Sequence, residues 1–337
     1  MIKAAIIGAS GYSGAELMRL LSMRADVKLE KVVAGTSAGQ RVDALYPVFN
    51  GRVDLAFESM RDNHLDDVDI VFVALPSGEA MHVVPELFGT ISRVIDLGGD
   101  FRLKSTDVYQ QFYKHEHTSP ELLHQAVYGL PELHKQSIAQ ARLVANPGCY
   151  PTSAILGLLP ALTNNIVSTE AIVINSLSGV SGAGRSASTE LSFVEMNENI
   201  RAYKMGVHQH IPEMQSVLSE ACGKEVSMSF IPHLVPITRG IYTTIHAQLS
   251  RTTSQDEIRE VYEKFYAEAP FVRIKKQIPQ IKDVVYTNYC DIGVFVEPRT
   301  SQLIIISVID NLMKGAAGQA IQNMNIMFGL PEETGLQ

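Results

Sequence analysis

One cysteine stands where a thiol can act as a nucleophile. In "LVANPGCYPT" (143–152) a short apolar run ends, Asn146, Pro147 and Gly148 turn the chain, and Cys149 follows. A structural cysteine normally sits on an apolar face within a helix or strand. Cys149 instead falls at the tip of a turn ahead of an expected helix, where a helix N-terminus stabilises the thiolate. A base is available in "GVHQHIPEMQ" (206–215), where His208 and His210 are two residues apart. In an extended segment both would point to the same side. Pro212 suits a first helical turn, so His210 belongs at a helix N-terminus, whose positive end keeps the imidazole neutral and able to take a proton. Glu213 falls in the same turn, placed to orient the ring. A thiol beside a base is the equipment of nucleophilic catalysis.

A second set of residues suits an anionic cofactor. "GASGYSG" sets Gly8, Gly11 and Gly14 between an expected strand and helix, in a G-x-x-G-x-x-G rather than the commoner G-x-G-x-x-G spacing. Such a loop lets backbone approach a pyrophosphate, with helix N–H groups as donors. Gly8, Ser10, Gly11, Tyr12, Ser13 and Gly14 are therefore the expected cradle. The second strand ends "VVAGTSAGQR", without the acid that would hold a ribose 2′-hydroxyl. Thr36, Ser37 and Arg41 suit a 2′-phosphate, so NADP is expected over NAD. A later Gly/Ser-rich loop, "SLSGVSGAGRSAS" (176–188), offers Ser178, Gly179 and Gly182 to an anion or to the nicotinamide amide, with Arg185 inside it. "GGDFR" places Arg102 at the carboxyl edge of the sheet as a phosphate clamp, and "PITRG" supplies Arg239 as a further cation. Asn146, beside the nucleophile, completes the expected substrate contacts. Cys222 and Cys290 read as core residues.

The elements that must position these groups change in character along the chain. Apolar runs at 4–9, 27–35, 69–76, 93–99 and 141–148 alternate with helical spacing, which predicts a doubly wound, parallel, Rossmann-like α/β sheet. After Cys149, long strand-like runs with few helices predict an α+β domain whose sheet is mostly antiparallel. "KGAAGQAIQNMNIMFGL" is a small-residue helix that returns to the first domain. The expected division is 1–148 plus 312–337 for cofactor binding and 149–311 for catalysis.

Two domains suit 337 residues, and 46% hydrophobic with 19% charged residues describes a soluble globular chain. A net charge of −8 argues against nucleic acid or an anionic membrane as the main partner. No run approaches the roughly 18 apolar residues of a membrane span, and the start lacks a signal-peptide pattern. Three cysteines without paired or metal-type spacing suggest a reducing compartment, the cytoplasm, and "HEH" (115–117) is too isolated to imply a metal.

The ordered set "GASGYSGAEL", "DLGGDFRL", "YGLPEL", "NPGCYPT", "SGVSGAG", "HQHIPE" and "NLMKGAAGQAIQNMN" resembles the N-acetyl-γ-glutamyl-phosphate reductase family over the whole chain. The resemblance implies NADPH-dependent reduction of an acyl phosphate through a cysteine thioester, in arginine biosynthesis, by a homodimer or homotetramer. It places the nucleophile on Cys149, the histidine pair on His208 and His210, the dinucleotide loop on Gly8 to Gly14, and a return to the cofactor near Asn311. Which histidine transfers the proton stays open. Gly98 departs from the family's pattern, which has serine between the two aspartates. Rival readings are reduction of an aspartyl or aminoadipyl phosphate, a cysteine hydrolase or acyltransferase (which leaves "GASGYSG" without a use), and an NADP-binding regulator without turnover.

Overall fold

The computed structural model describes residues 1–60, 65 and 67–337, which form two units, Met1–Gly148 with Ala316–Gln337, and Cys149–Gly315. The first is built on strands β1 (Ile2–Ile7), β2 (Val27–Val33), β3 (Ile70–Val73), β4 (Arg93–Asp96), β5 (Val127–Tyr128) and β6 (Leu143–Ala145). All pairings are parallel, in the order β2-β1-β3-β4-β6-β5. Every residue of β3 is buried, as a strand covered by helices on both faces requires. The chain leaves β1 for β2 on one side and reaches β3 on the other. At such a reversal, beyond the carboxyl ends of the strands, open α/β sheets bind ligands. Helix Tyr12–Ser22 closes the first crossover by burying Leu17, Met18, Leu20 and Leu21.

The second unit carries β7 (Ile172–Gly179), β8 (Arg201–Ala202), β9 (Met228–Val235), β10 (Ile241–Gln248), β11 (Val272–Ile274), β12 (Cys290–Glu297) and β13 (Gln302–Ile309). Their order is β11-β12-β13-β10-β7-β9-β8. Four pairings are antiparallel (β12–β13, β13–β10, β10–β7, β9–β8) and two are parallel (β11–β12, β7–β9), so the sheet is mixed with an antiparallel majority. Burial alternates along β7 and β10, leaving one face covered.

Helix Cys149–Thr163 lies on that face and is buried from Tyr150 to Leu162. Gly157 makes the close approach possible, since a Cβ there would stand 3.0 Å from Ile245 Cδ1. Ser153 Oγ donates to the Ser307 carbonyl at 3.1 Å and lies 2.9 Å from Thr243 Oγ1. Pro160 has no N–H for the Leu156 carbonyl four residues earlier. The buried Tyr266 hydroxyl donates to that carbonyl instead, at 2.6 Å, and Tyr262 supports the Gly157 carbonyl at 2.7 Å. The helix that begins at Cys149 is thus held from the side where its own ladder is broken. Cys290 is buried as expected, but Cys222 is only half-buried, because it lies in the last turn before Gly223, the left-handed cap. Strands β5, β8 and β11 are too short to leave a period in the sequence, whereas β6, also of three residues, lies within the expected run 141–148.

Candidate active site

Cys149 is the first residue of its helix and is half-buried. The first-turn N–H groups of a helix lack acceptors within it, and their partial positive charge favours a thiolate. Gly315 presses against the nucleophile from behind. A Cβ on Gly315 would meet Cys149 Cβ at 2.9 Å and Cys149 Cα at 3.3 Å. Gly315 belongs to one wide π turn, Met313–Ala317. Asp310, fully buried, braces that turn. Its Oδ1 accepts from Leu312 N (2.7 Å) and Met313 N (3.1 Å), its Oδ2 from Tyr286 N (2.7 Å) and Arg239 Nη1 (3.2 Å). Arg239, expected to bind substrate, is therefore engaged with Asp310 and stacked over Tyr286 at 4.6 Å.

A cleft of 560 Å³ opens beside Cys149, within the second unit, lined among others by Ser178, Tyr203, His208 and His210. His208 is 2% exposed, and its Nδ1 accepts from the His210 backbone N–H at 3.1 Å. Burial, and then the positive charge of Lys204, hold its pKa down at about 4. A neutral ring whose Nδ1 accepts carries its proton on Nε2. His208 is thus a fixed donor, caged by Tyr150 (5.7 Å), Tyr203 (5.5 Å) and Phe230 (5.4 Å). His210 opens helix His210–Cys222, with Glu213 fully buried one turn on. The two rings meet at 4.7 Å, not because the segment is extended but because His210 is already helical.

Gly182 also lines the cleft, and a Cβ there would lie 2.9 Å from Ser178 Oγ. Gly179 has a packing reason to be glycine, since its Cβ would fall 2.7 Å from the Thr238 carbonyl. Asn311 is a brace between loops: its Oδ1 accepts from Gly240 N at 2.8 Å and its Nδ2 donates to Ser181 Oγ at 2.9 Å. Arg185 is exposed on the same loop. In the first unit Arg102 donates to the carbonyls of Asn146 and Leu97, both at 2.8 Å, and so ties the ends of β4 and β6 together rather than standing open to a phosphate. Asn146 Nδ2 donates to the Ala316 carbonyl at 3.2 Å, and its Oδ1 accepts from Asn323 Nδ2 at 3.0 Å. Sequence reasoning overlooked Tyr203, Arg201, Lys204, Asp310 and Gly315. The run "RAYK" just ahead of the histidines was the available signal for the first three.

In the glycine loop the three residues divide by role. Gly8 has φ +83°, and a Cβ there would fall 2.2 Å from the Ala74 carbonyl oxygen; a Cβ on Gly14 would fall 2.5 Å from the Gly8 carbonyl oxygen. Both are glycine because the protein packs there. Gly11 is different: its Cβ would find only the Gly8 oxygen, at 3.5 Å, so the fold has room for a side chain. Gly11 caps helix Tyr12–Ser22 without a side-chain cap. An uncapped helix N-terminus with bare backbone in front of it, flanked by Ser10, Tyr12 and Ser13, fits a dinucleotide pyrophosphate. Past β2, Thr36 is exposed and Ser37 half-buried. Arg41 is bound by Asp43 (two contacts of 3.0 Å) and by Asp54 (2.9 Å). Gly98 leaves Asp96 with one backbone donor, the Gly98 N–H at 2.8 Å; burial, and then the charge of Asp100, raise the Asp96 pKa to about 7. Among the described residues there is no metal-capable cluster and no helix long and apolar enough to cross a membrane.

Known proteins share this two-part fold. Family models described as "Semialdehyde dehydrogenase, NAD binding domain" and "Semialdehyde dehydrogenase, dimerisation domain" match residues 3–141 and 149–311. The aspartate semialdehyde dehydrogenase II of Vibrio cholerae, solved in complex with ASA, superposes with a TM-score of 0.75 at 17% identity, covering 98% of each chain. The Candida albicans aspartate semialdehyde dehydrogenase with NADP gives 0.73 at 15%, covering 97% of this chain and 98% of that one. The chain thus falls in the semialdehyde dehydrogenase class of oxidoreductases, with a nicotinamide-dinucleotide-binding domain ahead of a second domain.

Proteins named N-acetyl-gamma-glutamyl-phosphate reductase match along nearly their whole length. That of Pelotomaculum thermopropionicum is 49% identical over 99% of this chain and 97% of its own. That of Symbiobacterium thermophilum is 48% identical over 99% and 97%, and that of Desulforamulus reducens 47% over 100% and 98%. The chain belongs to the N-acetyl-gamma-glutamyl-phosphate reductase family, and it is an oxidoreductase.

Proposed function

We propose that this chain reduces N-acetyl-L-glutamyl 5-phosphate to N-acetyl-L-glutamate 5-semialdehyde with NADPH, releasing phosphate, in arginine biosynthesis. The observation that carries the mechanism is a half-buried thiol at a helix N-terminus, opening on a cleft that holds two dissimilar histidines. Cys149 thiolate attacks the acyl carbon, and the collapsing oxyanion expels phosphate and leaves a thioester. When bound, NADPH supplies the hydride that takes the thioester to the thiohemiacetal level. His210 gives a proton to the thiohemiacetal oxygen and takes it back as the carbon–sulfur bond breaks, which frees the aldehyde and the thiolate. His208 cannot share that work. Its Nδ1 is occupied and its ring stays neutral, so it donates from Nε2 to a substrate oxygen.

The Met1–Gly148 unit binds the cofactor at Gly11 and the first turn of its helix, and the Cys149–Gly315 unit performs catalysis. NADPH is preferred because Thr36 and Ser37 stand where an acid would exclude a 2′-phosphate. Asp54, 92% exposed, holds the Nη1 edge of Arg41 only weakly and yields that edge to the phosphate, while Asp43 keeps the other edge oriented. The assembly is a homodimer or homotetramer in the cytoplasm, where three free cysteines stay reduced.

The test is NADP reduction by N-acetyl-glutamate semialdehyde, with and without phosphate. Phosphate-dependent turnover, lost in Cys149→Ser with NADPH binding kept, is expected. Preference for aspartate semialdehyde would reassign the substrate. Hydrolysis without NADP would make the protein a hydrolase, and cofactor binding without turnover would make it a regulator.

A further inference from the structure

Among the described residues, one charge lining the catalytic cleft has no partner of opposite sign. Lys204 follows β8 on the cleft wall, exposed, and its ammonium makes one hydrogen bond, to the neutral Gln209 side-chain oxygen at 3.3 Å. Among the described residues it forms no ion pair. Arg201, on β8, lines the same cleft and bonds to Glu190 alone, to its carbonyl at 3.2 Å and its carboxylate at 3.4 Å. That carboxylate is 79% exposed, so the pair is weak and exchangeable. The cleft therefore holds two cations against one loosely held acid, in a chain whose net charge is −8. Such a local excess has a reason if an anion binds there.

The substrate assigned above has two anionic groups. The phosphate is bonded to the carbon that Cys149 attacks, so it leaves beside the half-buried thiol and the buried histidines. The α-carboxylate lies at the opposite end of the glutamyl chain. A cation on the exposed rim suits that far end, while one serving the leaving phosphate belongs beside the thiol. Resting on the reaction assigned above, we propose that Lys204, assisted by Arg201, binds the substrate's α-carboxylate and selects for substrates that carry one.

Aldehyde oxidation separates the two anions, because aldehyde and phosphate are then independent substrates with separate Michaelis constants. Lys204→Met should raise KM for N-acetyl-glutamate semialdehyde about tenfold, with kcat within about twofold and KM for phosphate unchanged. Lys204→Arg should recover most of the loss. 4-Acetamidobutanal, the same aldehyde without its carboxylate, should be used equally poorly by wild type and by Lys204→Met. A rise confined to the phosphate KM overturns the assignment, as do two unchanged constants or a preference for the carboxylated aldehyde that is undiminished in Lys204→Met. If Lys204→Met fails to fold, Arg201→Met decides: a smaller rise in the same KM is expected, and no rise refutes the site. A wild-type protein that oxidises neither aldehyde refutes the underlying reaction instead.

Discussion

Replacing Gly315 with alanine tests whether the π turn sets the position of the nucleophile. The added methyl would lie 2.9 Å from Cys149 Cβ and 3.3 Å from Cys149 Cα. Carbon atoms rest at about 3.5–4.0 Å, so something must move by roughly 0.6–1 Å. The turn cannot easily retreat: Asp310 holds it through two backbone N–H groups and is itself held by Tyr286 N and Arg239. Behind Cys149 the helix is buried along its length and pinned by Ser153 and two tyrosines. The displacement therefore falls largely on the first turn, where the thiol sits. A misplacement near 1 Å costs on the order of 10²-fold in rate when near-attack geometry is lost. Expected results are a kcat for aldehyde oxidation down about 10- to 100-fold, KM for the aldehyde within about twofold, and slower alkylation of Cys149 by iodoacetamide across the pH range. Thermal melting separates this from global damage. A folded variant with wild-type kcat and alkylation rate would refute the idea that this turn positions the thiol.

The histidines should separate kinetically. His210→Asn should lower kcat by about 10²- to 10⁴-fold, whereas His208→Asn should act mainly on KM, and the reverse pattern would exchange their roles. Gly11→Val should leave thermal stability nearly unchanged, since the fold has room for a side chain, yet weaken NADPH binding strongly by titration; equal affinity would make the loop a turn only. Asp96 titrates at about 7 in the folded chain against 3.8 unfolded, so the folded state keeps a proton that the unfolded state releases. Its stabilising contribution is full below pH 4 and is lost as pH rises towards 7, by up to roughly 4 kcal/mol. Asp96→Asn should flatten the melting temperature between pH 4 and 7, and an unchanged slope would show that Asp96 is ionised throughout.

Much of this site is written locally. An Asn-Pro-Gly turn ahead of an apolar run places Cys149 at a helix start without help from distant residues, because turn chemistry and the missing proline N–H act within a few positions. Pro212 does the same for His210. The parallel strands are legible because both their faces are buried, which leaves nearly continuous apolar runs such as β3.

Through-space contacts carry no local signature, and tertiary structure alone decided them. The three glycines of "GASGYSG" look alike in sequence, yet Gly8 and Gly14 are fixed by carbonyl oxygens packed against them and only Gly11 is left open for a ligand. Arg41, Arg102 and Arg239 are equal as cations until the fold brings Asp43 and Asp54, two carbonyls, and Asp310 to them. The N–H that fixes the tautomer of His208 is only two residues on, but the burial that keeps its ring neutral comes with Tyr150 and Phe230, far off in sequence. The fit of Gly315 against Cys149 joins the two ends of the second unit, and no pattern near either residue announces it. Sequence periodicity reports which way a side chain faces; the neighbour it meets is set by how separate elements pack.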